Sequence, residues 1–414
     1  MLSDHFPRAA RRYSALPLLG SLAADFHTWL LERGFRRGCR KMHFAALPRI
    51  DRALRRRGRR QWSDVTHDDL EACWRPCRRR GPTDRWIVRN LERFAEQAAW
   101  LPPRTPRPPT RVETLTGTYA TMLGELRGLA PTTIHQHAAT AAAFLDHIAY
   151  EAQPARLARV APKDIEAFIC QVGARLRRTS LQHTVAQLRS FLSYLASRAA
   201  IQSGLDQQID TPRVYRLEQL PRSLPWNTVR AFLRAIDRSS APGLRDYTMF
   251  SLIATYGLRA CEIVALTLDM IDWRHRLLRV PPRKTGTPLL LPLTDAAGTM
   301  LVRYLRRGRP ASPHRELFLR QRAPAGVLKP TAVGEAFQKW VRRSGLPIPF
   351  QGPHCLRHSY AVHLLRRRIP LKTIGDLLGH RTAESTEVYL RLATDDLRSV
   401  ALPVPRSRAQ EGRR

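Results

Sequence analysis

No apolar run in this 414-residue sequence approaches the roughly 18 residues a membrane span needs, so no part of it is expected in a bilayer. Cysteine is scarce and scattered, with six residues at 39, 73, 77, 170, 261 and 355. Such spacing builds no disulfide scaffold, and Cys73 with Cys77 lacks the second ligand pair of a zinc site. The thiols are therefore expected to be reduced and structural, in a cytoplasmic chain. Arg11-Arg12 precede a short apolar stretch, Ala15 to Ala24, but Pro17 and Gly20 interrupt it, which argues against an export signal. The most consequential shortage is of acid. Asp and Glu number 34 against 70 Lys and Arg, a formal net charge of +36. A field of that sign attracts polyanions, nucleic acid before any other. Arginine far outnumbers lysine, and its planar fork grips two phosphate oxygens at once.

Apolar residues make up 43% of the chain, enough to bury sizeable cores in two or three domains. Two proline-rich passages divide it. Residues 101–111 hold Pro102, Pro103, Pro106, Pro108 and Pro109, which no helix can traverse, and read as a stiff linker. Residues 206–224 form a softer, polar linker with Pro212 and Pro221. The first block, 1–100, reads as an extra basic helical domain, with Arg55-Arg56-Arg57 and Arg78-Arg79-Arg80. The second, 112–205, is also helical: Leu181, Val185, Leu188, Phe191, Leu192 and Leu195 recur at steps of three and four, one buried helix face. Asp51/Asp146, Val65/Val160, Asp69/Asp164, Leu70/Ile165 and Glu71/Glu166 stand 95 apart, a match that either chance or a duplicated module would give. In the third block, 225–400, Pro225 opens a helix carrying Val229, Phe232, Leu233 and Ile236, and an apolar helical region from Tyr247 to Leu268 breaks at Gly257. Leu277 to Val280 and Leu289 to Leu293 flank a turn-rich centre, which predicts a hairpin or small sheet. Residues 401–414 read as a disordered basic tail. The fold class is mainly α with a small β-sheet.

Cutting a DNA backbone without metal requires cations around the attacked phosphate, a nucleophile, and a proton for the departing oxygen. The third block holds a candidate for each. Arg259 follows a glycine turn in Tyr256-Gly257-Leu258-Arg259-Ala260-Cys261-Glu262. Lys284 lies between the two apolar β runs, with Arg283 beside it. His354 and Arg357, three apart, share a helix face behind Gly352-Pro353. His380 sits at a glycine turn, and Tyr389 follows nine residues later. Taken singly, each has a plainer reading: an Arg259–Glu262 ion pair, a solvated turn lysine, capping histidines, a packing tyrosine. Their order within one block of a very basic chain is what points to chemistry.

That order resembles the tyrosine recombinase, or phage integrase, family, whose signature of Arg, Lys, His-x-x-Arg, His or Trp, and Tyr falls on Arg259, Lys284, His354 with Arg357, His380 and Tyr389. Gly257-Leu258-Arg259-x-x-Glu262, His354-x-Leu356-Arg357-His358-Ser359-Tyr360-Ala361 and Leu377-Leu378-Gly379-His380 are similar to the family's boxes. Arg283-Lys284-Thr285-Gly286 departs from the Gly-Lys-Gly of many relatives. The resemblance implies helical DNA-binding domains, block two as the core-binding (SAM-like) one, ahead of a catalytic domain at 225–400. It implies Tyr389 attack to give a 3′-phosphotyrosine, Arg259 and Arg357 clamping the phosphate, Lys284 protonating the leaving oxygen, His354 assisting the tyrosine's proton transfer, His380 bonding the phosphate and Glu262 orienting Arg259. It implies no cofactor, metal or ATP. The partner is double-stranded DNA, bound by a homo-tetramer or a hetero-assembly with related recombinases, at the nucleoid and in a mobile element's service. A type IB topoisomerase-like enzyme and a catalytically inactive accessory DNA-binding protein are the competing readings.

Overall fold

The computed structural model describes residues 10–74, 83–104, 107–215, 220–281, 289–380 and 382–392. Lys284 and Arg283, Cys77, Arg78-Arg79-Arg80 and the tail at 401–414 lie outside these. The described residues are mostly helical, beside one small three-stranded sheet. The expected fold class, mainly α with a small sheet, is the one found.

The N-terminal block is helical throughout: α1 (Ala10–Ser14), α2 (Ala23–Glu32), α3 (Arg37–Arg56), α4 (His67–Trp74) and α5 (Thr83–Gln97). Its core gathers Leu22, Phe26, Phe35, Phe44, Leu54, Leu91 and Phe94. Buried acids here close on nearby backbone amides and arginine side chains. Asp51 accepts the amides of Leu18 and Leu19 at 2.9 and 3.1 Å. Asp69 accepts from Arg57, Arg59 and the Thr66 amide, tying the loop to the start of α4.

The second block repeats the pattern with α6 (Arg111–Glu125), α7 (Pro131–His147), α8 (Pro162–Gly173) and α9 (Arg178–Ser197). Thr110 caps α6 by accepting the Glu113 amide, and the Glu113 carboxylate accepts the Thr110 amide in return. That reciprocal box is worth about 1 kcal/mol. The apolar stripe of α9 is buried at Val185, Leu188, Phe191, Leu192 and Leu195, the face the periodicity predicts. By its contacts the chain divides into two compact units, this block at 104–219 and the remainder, Met1–Pro103 with Leu220–Arg414.

The third block opens with α10 (Trp226–Ala235), α11 (Ala241–Tyr256) and α12 (Ala260–Ala265). Strands β1 (Ile271–Asp272), β2 (Leu277–Val280) and β3 (Leu289–Pro292) form an antiparallel meander in that order. Leu278 pairs with Leu291 and Val280 with Leu289, so Leu278, Val280 and Leu291 face the core while Arg279 points out. The sequence signal covers β2 and β3. The two-residue β1 is additional. Helices α13 (Asp295–Arg307), α14 (Pro330–Ser344), α15 (His354–Arg366), α16 (Leu371–Leu378) and α17 (Glu384–Glu387) follow. Phe232, Phe250 and Phe337 meet with ring centroids 5.1 to 5.9 Å apart at the centre. Each such ring, fully buried, stabilises by about 1.5–3 kcal/mol. This block also touches the N-terminal one, where the Ala325 amide donates to the Arg33 carbonyl at 3.2 Å.

Candidate active site

The site is built where two helix ends meet. Helix α11 stops at Gly257, whose φ of +66° is the left-handed conformation that glycine adopts without strain. Space demands glycine as well. A Cβ there would lie 2.6 Å from Leu378 and 2.9 Å from Tyr360. Helix α16 ends at Leu378 and turns through Gly379, φ +60°. Both C-termini carry exposed carbonyls and the negative pole of a helix dipole.

Arg357, 1% exposed on α15, spans that junction. It donates to the Gly257 carbonyl at 2.5 Å and to the Leu378 carbonyl at 2.6 Å. Those acceptors are 100 and 21 residues away in sequence. Arg259, just ahead of α12, reaches the same turn with a long 3.5 Å contact to the Gly379 carbonyl. Its other arm donates to Glu262 at 2.8 Å, and Glu262 also accepts the Arg259 amide. Glu262 therefore fixes both the helix start and the guanidinium. One third of the Arg259 side chain remains exposed, leaving it open to an incoming anion.

Tyr389, 2% exposed, packs among Ala361, Val362, Ile374 and Leu378. Its hydroxyl lies 3.0 Å from Nδ1 of His358. The sequence reading gave the tyrosine's proton to His354; in the structure the histidine bonded to that hydroxyl is His358. His354 stands one turn earlier on α15, its ring edge-on to His358 at 4.4 Å. His380 stacks on the tyrosine ring, centroids 6.2 Å apart at 17°, and its Nδ1 lies 2.8 Å from Oγ1 of buried Thr386. His358 and Thr386 were both missed as functional candidates. His358 had a signal, the second histidine of His-x-Leu-Arg-His, whereas Thr386 had none.

Burial pushes the Tyr389 phenol above its ordinary value, and the Arg357 and Arg259 charges oppose that rise. Burial also pushes His358 down to about 3, with His354, Arg357, His380 and Arg222 adding to it. His354 is lowered by desolvation and then by Arg357, Arg259 and Arg222. The outer part of its side chain stays in contact with water, which screens those charges. His358, half-buried, is thus the more firmly neutral of the two, and a neutral ring nitrogen can accept the phenolic hydrogen.

Arg259, His354, Arg357, His380 and Tyr389 are thereby brought together; Lys284 lies outside the described residues, between β2 and β3. Among the described residues one group has the donors for a metal ion, His67 with Glu92 and Glu96 in the N-terminal block. His67 lies 2.8 Å from both Glu92 and the Pro102 carbonyl, an ion-pair arrangement within that block. Among the described residues, the groups around Tyr389 are two arginines, three histidines and Thr386, with the Glu262 carboxylate taken up by Arg259.

The Phage integrase family matches residues 222–395, and its N-terminal SAM-like domain matches 118–199. A Sinorhizobium fredii protein named as an integrase/recombinase, y4rA, is 33% identical over 298 residues, 72% of this chain and 72% of that one. Tyrosine recombinase XerD of Pseudomonas putida is 34% identical over 215 residues, 50% of this chain and 68% of the relative. The fold is similar to that of a lambda integrase tetramer bound to a Holliday junction, with a TM-score of 0.50 at 17% identity, covering 72% of this chain and 85% of that one.

Proposed function

The chain belongs to the phage integrase family of tyrosine recombinases, and from that premise we propose that it is a site-specific DNA recombinase whose nucleophile is Tyr389. The observation that carries the reading is the convergence of Arg357, Arg259, His358 and His380 around one buried tyrosine, through contacts spanning 9 to 120 residues of chain. A structural tyrosine has no need of two guanidiniums anchored beside it.

The scissile phosphate binds between Arg259 and Arg357, whose forks take its non-bridging oxygens. Arg357 is already held by two carbonyls, so little reorganisation accompanies the development of charge. Burial is what chiefly holds His358 neutral, and the phosphate's negative charge offsets the part that neighbouring cations add. His358 becomes a better base as the substrate arrives, and takes the phenolic proton while Oη of Tyr389 forms a bond to phosphorus. The bond from phosphorus to the 5′ oxygen breaks, and Lys284 protonates that oxygen to leave a 5′-hydroxyl. Thr386 donating to Nδ1 of His380 leaves Nε2–H to bond the phosphate. Attack by a 5′-hydroxyl from a second strand reverses each step. The phosphotyrosine conserves the bond energy, so the exchange requires no ATP. The lambda integrase neighbour is a tetramer on a Holliday junction, and the same assembly on double-stranded DNA, in the service of a mobile element, suits this chain.

The test is covalent trapping on nicked duplexes carrying the element's own ends, native protein against Tyr389→Phe. A protease-sensitive adduct with the native protein alone is the expected outcome. No adduct from either, despite tight binding to the same duplex, would replace the reading with an accessory DNA-binding protein.

A further inference from the structure

We propose that residues 10–103 are a second copy of the helical module at 107–215, and that this copy adds its own grip on a DNA backbone through α3. The DNA part rests on the reading above; the duplication does not. The SAM-like match spans 118–199 only.

The skeletons agree element by element. Each block runs helix, helix, 3₁₀ turn, helix, helix: α2, α3, Trp62–Asp64, α4, α5 against α6, α7, Pro154–Arg159, α8, α9. After the first, second and fourth helices the chain turns through a left-handed residue: Gly34, Gly58 and Ala99 in one block, Gly128, Ala149 and Ala199 in the other. Three of these six are alanines, which adopt that conformation only when the surroundings impose it. The third helix opens the same way in both. Asp69 accepts the Thr66 amide at 3.0 Å, and Asp164 accepts the Ala161 amide at 3.0 Å. The last helix carries one word twice: Val88-x-x-Leu91-x-x-Phe94 and Val185-x-x-Leu188-x-x-Phe191, all six residues at most 2% exposed.

The two copies differ in charge. Residues 1–103 hold 22 Lys and Arg against 11 Asp and Glu, whereas 104–219 hold 14 against 9. On α3 the exposed residues Arg37, Lys41, Arg49, Arg52 and Arg56 fall within an arc of about 120° and run about 28 Å along the axis. Phe44, Leu47, Ile50 and Leu54 fill the buried side, and the helix's one acid, Asp51, is buried beside them and pairs with exposed Arg55 at 3.1 Å. Arg37, Lys41, Arg52 and Arg56 have no acid three or four residues away in the sequence, the spacing at which a merely solvated face would pair them. The matching helix, α7, has neither lysine nor arginine. A run of exposed cations along one side of the helix fits the phosphate track of a duplex, which carries a charge every ~1.7 Å of axis.

The experiment compares the full chain with its Lys41→Gln/Arg52→Gln/Arg56→Gln variant, by fluorescence anisotropy on a random-sequence DNA duplex across a salt series. Loss of three phosphate contacts should lower the slope of log affinity against log salt by about 2.7, at ~0.9 per contact, whatever the sequence. Arg52→Gln alone, an exposed single change, should lower it by about 0.9 and guards against misfolding of the triple variant. An unchanged slope for both overturns the proposal, as does a loss confined to duplex RNA or anionic vesicles. The assay reads binding alone, so its outcome is independent of whether Tyr389 forms an adduct.

Discussion

Two histidines pushed down by burial show how differently the N-terminal block and the Tyr389 pocket use the same chemistry. His43, fully buried, is satisfied by the Cys39 carbonyl four residues away and by Asn90, and is packed against Phe35 and Trp86. His358 bonds the hydroxyl of a tyrosine 31 residues away, beside two arginines. A shifted histidine by itself therefore says little. Unreactive partners that saturate it, a carbonyl and an amide, mark architecture, and a partner that can act as a nucleophile marks a site.

Substitutions can break that contrast. The largest effect is expected from Tyr389→Phe, which should abolish adduct formation by roughly 10⁴-fold or more. It should cost only about 1 kcal/mol of stability, from the hydrogen bond lost at His358. Asp69→Asn in the N-terminal block should do the reverse, lowering stability by about 2 kcal/mol or more while surviving folded protein still forms adduct. Urea denaturation and trapping on the same preparations check both. Next is Arg357→Lys, expected to slow strand cleavage by about 10²–10³-fold in single-turnover assays, because an ammonium cannot reach both carbonyls and grip the phosphate too. Gly257→Ala follows. Its left-handed φ and the 2.6 Å approach of Leu378 should cost about 2 kcal/mol or more, seen as a lower urea midpoint. Smallest is the dependence on pH. His358 is held below its unfolded value of about 6.5, so its contribution is present above that pH. As pH falls from about 6.5 toward 3, the unfolded chain takes up a proton that the folded ring refuses, and stability declines. His358→Gln should flatten that decline, and no change in the pH profile would reject the assignment.

The periodicity of α9 and the apolar runs of β2 and β3 were readable because side chains alone carry those signals. The order of Arg259, His354, Arg357, His380 and Tyr389 was readable for the same reason. The acceptors that anchor Arg357 were not, since a carbonyl has no letter of its own. The His358 contact needed α15 folded against the segment bearing Tyr389. The repeat was half visible. Val65/Val160 and Asp69/Asp164 stand in equivalent places, but buried Asp51 and exposed Asp146 do not. The matching word on the last helices is 97 apart rather than 95, beyond a comparison without gaps.

The long reach of Arg357 also bears on the order of events at the ribosome. The fully buried residues of both helical cores have all been made by Ile209, and domains made first fold first. The carbonyls that hold Arg357 are separated by more than a hundred residues, and Tyr389 comes later still. A chain stalled before Leu378 would carry two finished helical modules and no closed cleavage centre. The growing protein would thus be able to hold DNA well before it could cut it.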